Sequence, residues 1–351
     1  MRNFFEEKYT NLEFKRELIN IISKISEYKG AISAYQTQKP EIFNLLEKNI
    51  SLQYIKTFPN IYEKFTFSNK QLKKLVVHHA SPQTLEEDAL FCYCKTLELV
   101  QKENHKLPIK PQTIQELHFQ LMNYSTSESG NWRKSELVLS SIPKLKDQFK
   151  LRTVVLYDMV PQYLYHLCEQ YNALRAKGNF HPLLLIPQFI LNFLCIYPFN
   201  KGNGKLAKIL IQWLLIESGF TFVKYTCIDK YFKEYESDYY DALYKSAAHW
   251  YQGDHNVVFW MKNFLDIVLI TYKELYCVIK NCISTHTKRK RIEKYIDKQD
   301  NPFTKENIRN MYPDISESTI NKTLHALNSQ GYIKLVSKGR NATWIKKRKL
   351  T

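Results

Sequence analysis

Residues Tyr197–Lys208 read YPFNKGNGKLAK and sit between two apolar runs, LLLIPQFILNFLCI before them and LAKILIQWLLI after. Glycine lets the main chain turn tightly and lets a ligand approach it, and Gly202 and Gly204 stand where the first run gives way to the second. The second run opens a helix, whose first N–H groups and positive dipole end suit an anion, typically phosphate. The same dipole disfavours cations, yet Lys201, Lys205 and Lys208 crowd this turn. Bound anionic charge would offset that penalty. Lys201, Gly202, Asn203, Gly204, Lys205 and Lys208 are therefore the expected anion-binding set, with a phosphate compound as the typical ligand. The loop is poorly equipped for proton transfer or metal binding. A tyrosine such as Tyr197 ionises near pH 10, so only about one part in a thousand is phenolate at neutral pH. Lys201 offers no oxygen to a hard cation such as Mg²⁺, which is not expected here. Lys205 and Lys208 carry charge but lack the planar fork with which arginine grips phosphate.

The elements that must hold this loop are two helices. Pro182–Ile196 is interrupted by Pro187, Gln188 and Asn192, which predicts a buried helix and not a membrane span. Lys205–Glu217, ended by Gly219, carries Leu206, Ile209, Leu210, Trp213 and Leu214 as a core-facing stripe. Upstream, Glu13–Tyr28 has the spacing of an amphipathic helix that Gly30 is expected to end. Thr84 with Glu86 and Glu87 behind it predicts a helix N-cap. Residues 104–155 are polar and read as loop-rich, with a short hairpin near Trp132–Leu139. Pro161 starts a helix that closes near Gly178. Two further helices, YFKEYESDYYDALYKSAAHWYQ and FWMKNFLDIVLITYKELYCVI, follow.

The loop resembles the signature of the Fic (Fido) family, His-Pro-Phe-x-Asp/Glu-Gly-Asn-Gly-Arg-x-x-Arg. Pro198, Phe199, Gly202, Asn203 and Gly204 match. Tyr197 replaces the histidine, Lys201 the acid, and Lys205 and Lys208 the two arginines. Gly130–Arg133 (GNWR) resembles the family segment that precedes a target-clamping flap, and the likeness extends over roughly residues 60–280. The resemblance implies a mainly α fold with a short β-hairpin flap, related to enzymes that transfer AMP to proteins. In such enzymes the histidine deprotonates a target hydroxyl, the acid holds Mg²⁺, and the asparagine and arginines hold phosphates. It places Tyr197 and Asn203 at catalytic positions, and a protein target at 130–155, bound as an added edge strand. With base and metal ligand replaced, it implies a nucleotide-binding protein impaired in catalysis. Modification of Tyr197, or its use as a nucleophile, is one alternative; a loop that binds nothing is another. The family's inhibitory helix, aligned on Thr84, would put its Ser/Thr at Leu75 and its glutamate and Gly/Asn at His79 and Ala80, none of which matches.

The net charge of +17 is uneven: residues 286–351 hold 16 Lys and Arg against 6 Asp and Glu. A localised excess of about +10 implies an acidic partner, most simply nucleic acid. THTKRKR reads as a basic junction. Thr304 and Ser316 cap two short helices, Pro313 lies between them, and YIKLVSKGRNATWIKK reads as two strands turning at Gly339. This is the pattern of a winged helix, a small α+β domain. Ser318, Thr319, Asn321, Lys322 and His325 are then candidates for a DNA groove, and Lys338, Arg340 and Lys346–Lys349 for its phosphates. A DNA-binding regulator with the preceding domain as sensor is the alternative function. The expected domains are 1–60, a helical region of unassigned role, 61–283 and 286–351. The seven cysteines lack zinc-site spacing and read as reduced thiols of a cytoplasmic protein.

Overall fold

A computed structural model of the chain describes residues 3–5, 12–62, 81–103, 106–124, 129–136, 155–283, 287–337, 339 and 342–347. The chain divides into two compact units. One comprises Met1–Glu27 and Ile50–Thr271, the other Tyr28–Asn49 and Tyr272–Thr351.

In the first unit the order is α1 (Leu12–Gln38, continuing into the second unit), α2 (Pro40–Tyr62, returning from it), α3 (Leu85–Lys102), α4 (Pro111–Met122), α5 (Val160–Lys177), α6 (Pro182–Ile196), α7 (Asn203–Glu217), α8 (Asp229–Glu234), α9 (Glu236–Ala247) and α10 (Val258–Ile283, which ends in the second unit). The core lies where α6 packs on α5 and α7, and α3 on α4 and α7. Nearly every side chain of α6 is buried, as expected of a helix apolar all round. Its polar interruptions are satisfied: Asn192 donates to the carbonyls of Gln188 (2.8 Å) and Phe4 (2.7 Å) and accepts from Trp250 Nε1 (2.7 Å). The expected stripe of α7 is wholly buried. Among the described residues no helix is long and apolar enough to cross a membrane.

Several boundaries differ from the sequence reading. Gly30 does not end α1, which runs eight residues further to Gln38. Ending a helix at glycine requires a left-handed turn; here Ile25 and Ile32 are buried on either side, and packing outweighs the roughly 1 kcal/mol helix penalty of glycine. A Cβ on Gly30 would meet nothing within 4 Å. Gly30→Ala is therefore expected to stabilise the protein by about 1 kcal/mol, measured by denaturant unfolding. The polar stretch 104–155 contains α4, with Pro111 in its first turn and Ile114, Leu117, His118 and Leu121 on one buried face. The aromatic run after Lys230 splits at Tyr235 into α8 and α9. The N-cap at Thr84 is present, its hydroxyl accepting from Glu87 N–H, and α5 closes on a left-handed Gly178.

In the second unit, the C-terminal residues form α11 (Lys288–Asp297), β1 (Phe303–Thr304), α12 (Lys305–Met311), α13 (Glu317–Ser329), β2 (Ile333–Ser337) and β3 (Thr343–Lys346). The sheet is antiparallel in the order β1-β3-β2, with Phe303 opposite Trp344 and Leu335 opposite the same Trp344. Ile292, Ile296, Phe303, Ile308, Leu324 and Trp344 belong to one core. Thr304 and Ser316 cap as expected, Thr304 within a full capping box. The basic junction is instead helix α11. Its Ile292 and Ile296 are buried, and Arg291 is clamped by both carboxylate oxygens of Asp314 at 2.7 Å, a packing gain that overrides the cost of cations in a first turn.

Candidate functional site

The loop starts where α6 stops. Tyr197 takes a left-handed conformation (φ 50°, ψ 65°), and its N–H closes the helix onto the Phe193 carbonyl at 3.0 Å. A non-glycine residue there carries about 1–2 kcal/mol of strain, so the surroundings must hold it. Arg133 does much of this. Its Nε donates to the Tyr197 carbonyl (3.0 Å), its main-chain N–H to the Pro198 carbonyl (3.0 Å), and its guanidinium also reaches the carbonyls of Ser135 and Val155. Burial pulls the Arg133 pKa down, and Glu136 opposes that shift.

The second support is His118 on α4. Its ring stacks flat on Phe199, with centroids 3.6 Å apart. Nδ1 accepts from Gly130 N–H (2.9 Å), so Nε2 carries the proton and donates to the Lys201 carbonyl (3.0 Å). One neutral imidazole thus ties α4, the GNWR segment and the loop together. Gly202 follows with φ 80°, and a Cβ there would come within 2.8 Å of Met122 Sδ. Gly202 is a conformational requirement as well as a close-packing one.

The helix that follows the loop, α7, begins at Asn203, two residues earlier than expected. Two of the predicted ligand residues, Asn203 and Lys208, are buried. Asn203 is buried, its Oδ1 accepting from Phe199 N–H (3.1 Å) and its Nδ2 donating to the Phe199 carbonyl (2.7 Å). Expected among the phosphate-holding and catalytic groups, Asn203 is a positioning residue that fixes the loop. Lys208 is the sixth residue of α7, not part of its first turn, and only 9% exposed. Lys201 and Gly204 are exposed, and a Cβ on Gly204 would meet nothing within 4 Å. Lys205 is half-buried, with Nζ 3.3 Å from the Tyr124 hydroxyl. Lys201, Gly202, Gly204 and Lys205 therefore share one open rim at the start of α7, where the first N–H groups have no intrahelical acceptors. Such a rim fits a phosphate group. It does not fit a divalent metal, because an exposed lysine stands at the position of the acid and no carboxylate of the loop replaces it.

The Tyr197 phenol is a weaker acid still than free tyrosine. Burial pushes its pKa up and Tyr240 adds to this, against a hydrogen bond from Asn203 that pulls it down.

The second unit places its predicted residues unevenly. Ser318, Lys322 and His325 are exposed along one stripe of α13. Thr319 is half-buried, its hydroxyl 2.9 Å from Ser316 Oγ. Asn321, expected in a groove-facing role, turns inward: its Oδ1 is buried with no hydrogen-bond partner among the described residues. Lys346 is partly buried and donates to the Asp297 carbonyl (2.6 Å), with Asp300 at 3.6 Å. Lys338, Arg340, Arg348, Lys349, His78, His79 and most of the predicted flap (137–154) lie outside the described residues.

His118 and the hub role of Arg133 were missed from sequence. The only available signal for His118 was its place on the apolar face of PQTIQELHFQLM. Among cysteines, Cys168, Cys195 and Cys227 are buried, Cys277 is exposed, and all seven are free thiols. Burial pushes Cys94 and Cys168 up to about 12, which keeps them protonated.

Residues 108–215 match the family model described as Fic/DOC. No curated protein matches the chain. Among solved structures, the chain is similar to a Fic family protein from Desulfovibrio desulfuricans G20, at 15% identity over 99% of this chain and 100% of that one, with a TM-score of 0.58. A Fic domain containing signaling protein from Bacteroides thetaiotaomicron VPI-5482 aligns at 16% identity over 75% of this chain and 98% of that one, TM-score 0.54. Fic-1 (residues 134–508) from C. elegans aligns at 14% identity over 76% and 73%, TM-score 0.54. The loop, its Arg133 and His118 supports and helices α4 to α6 all fall within the segment that matches the Fic/DOC family model.

Proposed function

We propose that the Tyr197–Lys205 rim binds the phosphates of a nucleotide without a divalent metal, and that efficient AMP transfer is lost. The observation that carries this reading is the split within one loop. The backbone turn that shapes an anion cradle is kept and well supported, while the groups at the base and acid positions are a hydrogen-bonded, half-buried phenol and an exposed lysine. Lys201 supplies part of the positive charge that a metal would otherwise bring.

Gly204 gives a sharp test. Adding a methyl group there meets nothing in the protein, so Gly204→Ala is expected to fold normally and to gain up to about 1 kcal/mol from helix propensity. The same methyl fills the rim, and calorimetric affinity for ATP is expected to fall at least about tenfold. Unchanged ATP affinity in a stabilised Gly204→Ala protein would remove the rim as the binding site. Strict dependence of wild-type binding on Mg²⁺ would contradict the metal-free reading.

A second reading concerns the C-terminal residues, and the exposed stripe Ser318, Lys322 and His325 on α13 favours it. In this reading the α11–β3 module is a winged helix that docks α13 in the major groove of DNA, with the preceding domain as sensor. Binding to duplex DNA by the full chain should then weaken steeply with salt, and Lys322→Ala should reduce both affinity and the salt slope. A salt-independent signal, or one untouched by Lys322→Ala and His325→Ala together, counts against it.

A further inference from the structure

We infer that the groove between α3 and α4 docks an extended segment of a partner protein, one that carries a large apolar residue flanked by Lys or Arg. Among the described residues none of Tyr197–Lys208 lines it, so the groove is separate from the phosphate-binding rim. Two stripes of side chains border it. Asp88, Phe91 and Lys95 of α3 stand three and four residues apart, which puts them on one helix face. Gln112, Glu116, Phe119 and Gln120 of α4 and Asn123 at its C-cap form the other stripe. The rise of a helix makes that second stripe about 16 Å long. The GNWR segment completes the wall and is tied to α4: Gln115 Nε2 donates to the Gly130 carbonyl at 3.1 Å, and a Cβ on Gly130 would lie 3.0 Å from Phe119 Cβ. The groove therefore exists before a partner arrives, which lowers the cost of binding.

Size, polarity and charge decide the occupant. The groove encloses about 1080 Å³, the upper end of what small ligands fill. A single base or sugar would leave most of the α4 stripe unused, whereas a strand rises about 3.3 Å per residue and about five residues span it. Gln112, Gln120 and Asn123 make no side-chain hydrogen bond among the described residues. Each amide offers donors and an acceptor, the complement of a peptide unit. The Lys95 ammonium already lies over the Phe91 ring at 4.9 Å, while Phe119 is 52% exposed and forms the open apolar platform. Asp88 and Glu116 form no ion pair among the described residues, in a chain with 51 Lys and Arg against 34 Asp and Glu. Two carboxylates against one lysine leave the groove negative, so cations on either side of the apolar anchor find complementary charge.

The test titrates the full chain into fluorescein-labelled octapeptides whose central leucine is flanked on both sides by lysine, glutamine or glutamate, read by anisotropy. The lysine peptide is expected to bind at least about tenfold tighter than the glutamate peptide. Phe119→Gln should weaken the lysine peptide at least about fivefold by removing the apolar platform. Glu116→Lys should reverse the order of the lysine and glutamate peptides. Both positions are exposed and receive good helix formers, so both variants should melt within about 2 °C of wild type. No binding of any peptide, equal affinity for all three, or an order that survives both substitutions would overturn the inference. Binding of adenosine or maltose that Phe119→Gln abolishes, with no peptide bound, would give the groove to a small ligand and overturn it as well.

Discussion

A chain carrying Tyr197→His, Lys201→Asp, Lys205→Arg and Lys208→Arg together is expected to transfer labelled AMP from ATP and Mg²⁺, where the wild type gives no signal above background. Under the proposed reading, two chemical deficits account for the silent wild type. A general base at the right pKa contributes about 10²–10⁴-fold, and histidine starts near 6.5 where tyrosine starts near 10. Burial moves the Tyr197 phenol further in the wrong direction, so milder pH cannot rescue it. Aspartate at position 201 supplies the hard oxygen that Lys201 lacks. The combined gain should exceed about 10³-fold. A three-change version that keeps Lys208 isolates that enclosed position, since a bulkier guanidinium must otherwise enter it. A folded four-change protein that binds ATP yet transfers nothing would mean that the loss lies outside the loop.

The second large effect is structural. Arg133→Met should lower stability by about 3 kcal/mol and shift the melting temperature down by roughly 6–12 °C. Its guanidinium and main chain together hold the carbonyls of Tyr197, Pro198, Ser135 and Val155, and methionine leaves the side-chain acceptors unpaired in a buried setting. Nucleotide binding should go with it, because the strained Tyr197 turn depends on those bonds. Lysine cannot substitute, as its single ammonium has no fork to span three carbonyls. A melting temperature within about 1 °C of wild type would show that the turn holds itself.

The sequence alone determined what is local. Pro182 and Gly219 bracket the helical pair, Thr84, Thr304 and Ser316 cap their helices, and Gly202 marks the turn, because each rests on contacts within four residues. The Pro198, Phe199, Gly202, Asn203 and Gly204 match was legible for the same reason: it is a property of residue types in one short run. Tertiary structure decided which of those residues stay exposed and which turn inward. The His118–Lys201 bond spans 83 positions and the Arg133–Tyr197 bond 64, and no periodicity reports such pairs. Asn203 turns inward because Phe199's main chain offers both a donor and an acceptor, and Lys208 is enclosed with its ammonium over the Phe232 ring. Likewise α4 and α11 form in stretches that read as loop or junction, since burying Ile114 and Leu117 in one, and Ile292 and Ile296 in the other, outweighs weak local signals. Helix ends and turn chemistry are written in neighbouring residues, whereas the direction a charged side chain takes depends on what distant segments place around it.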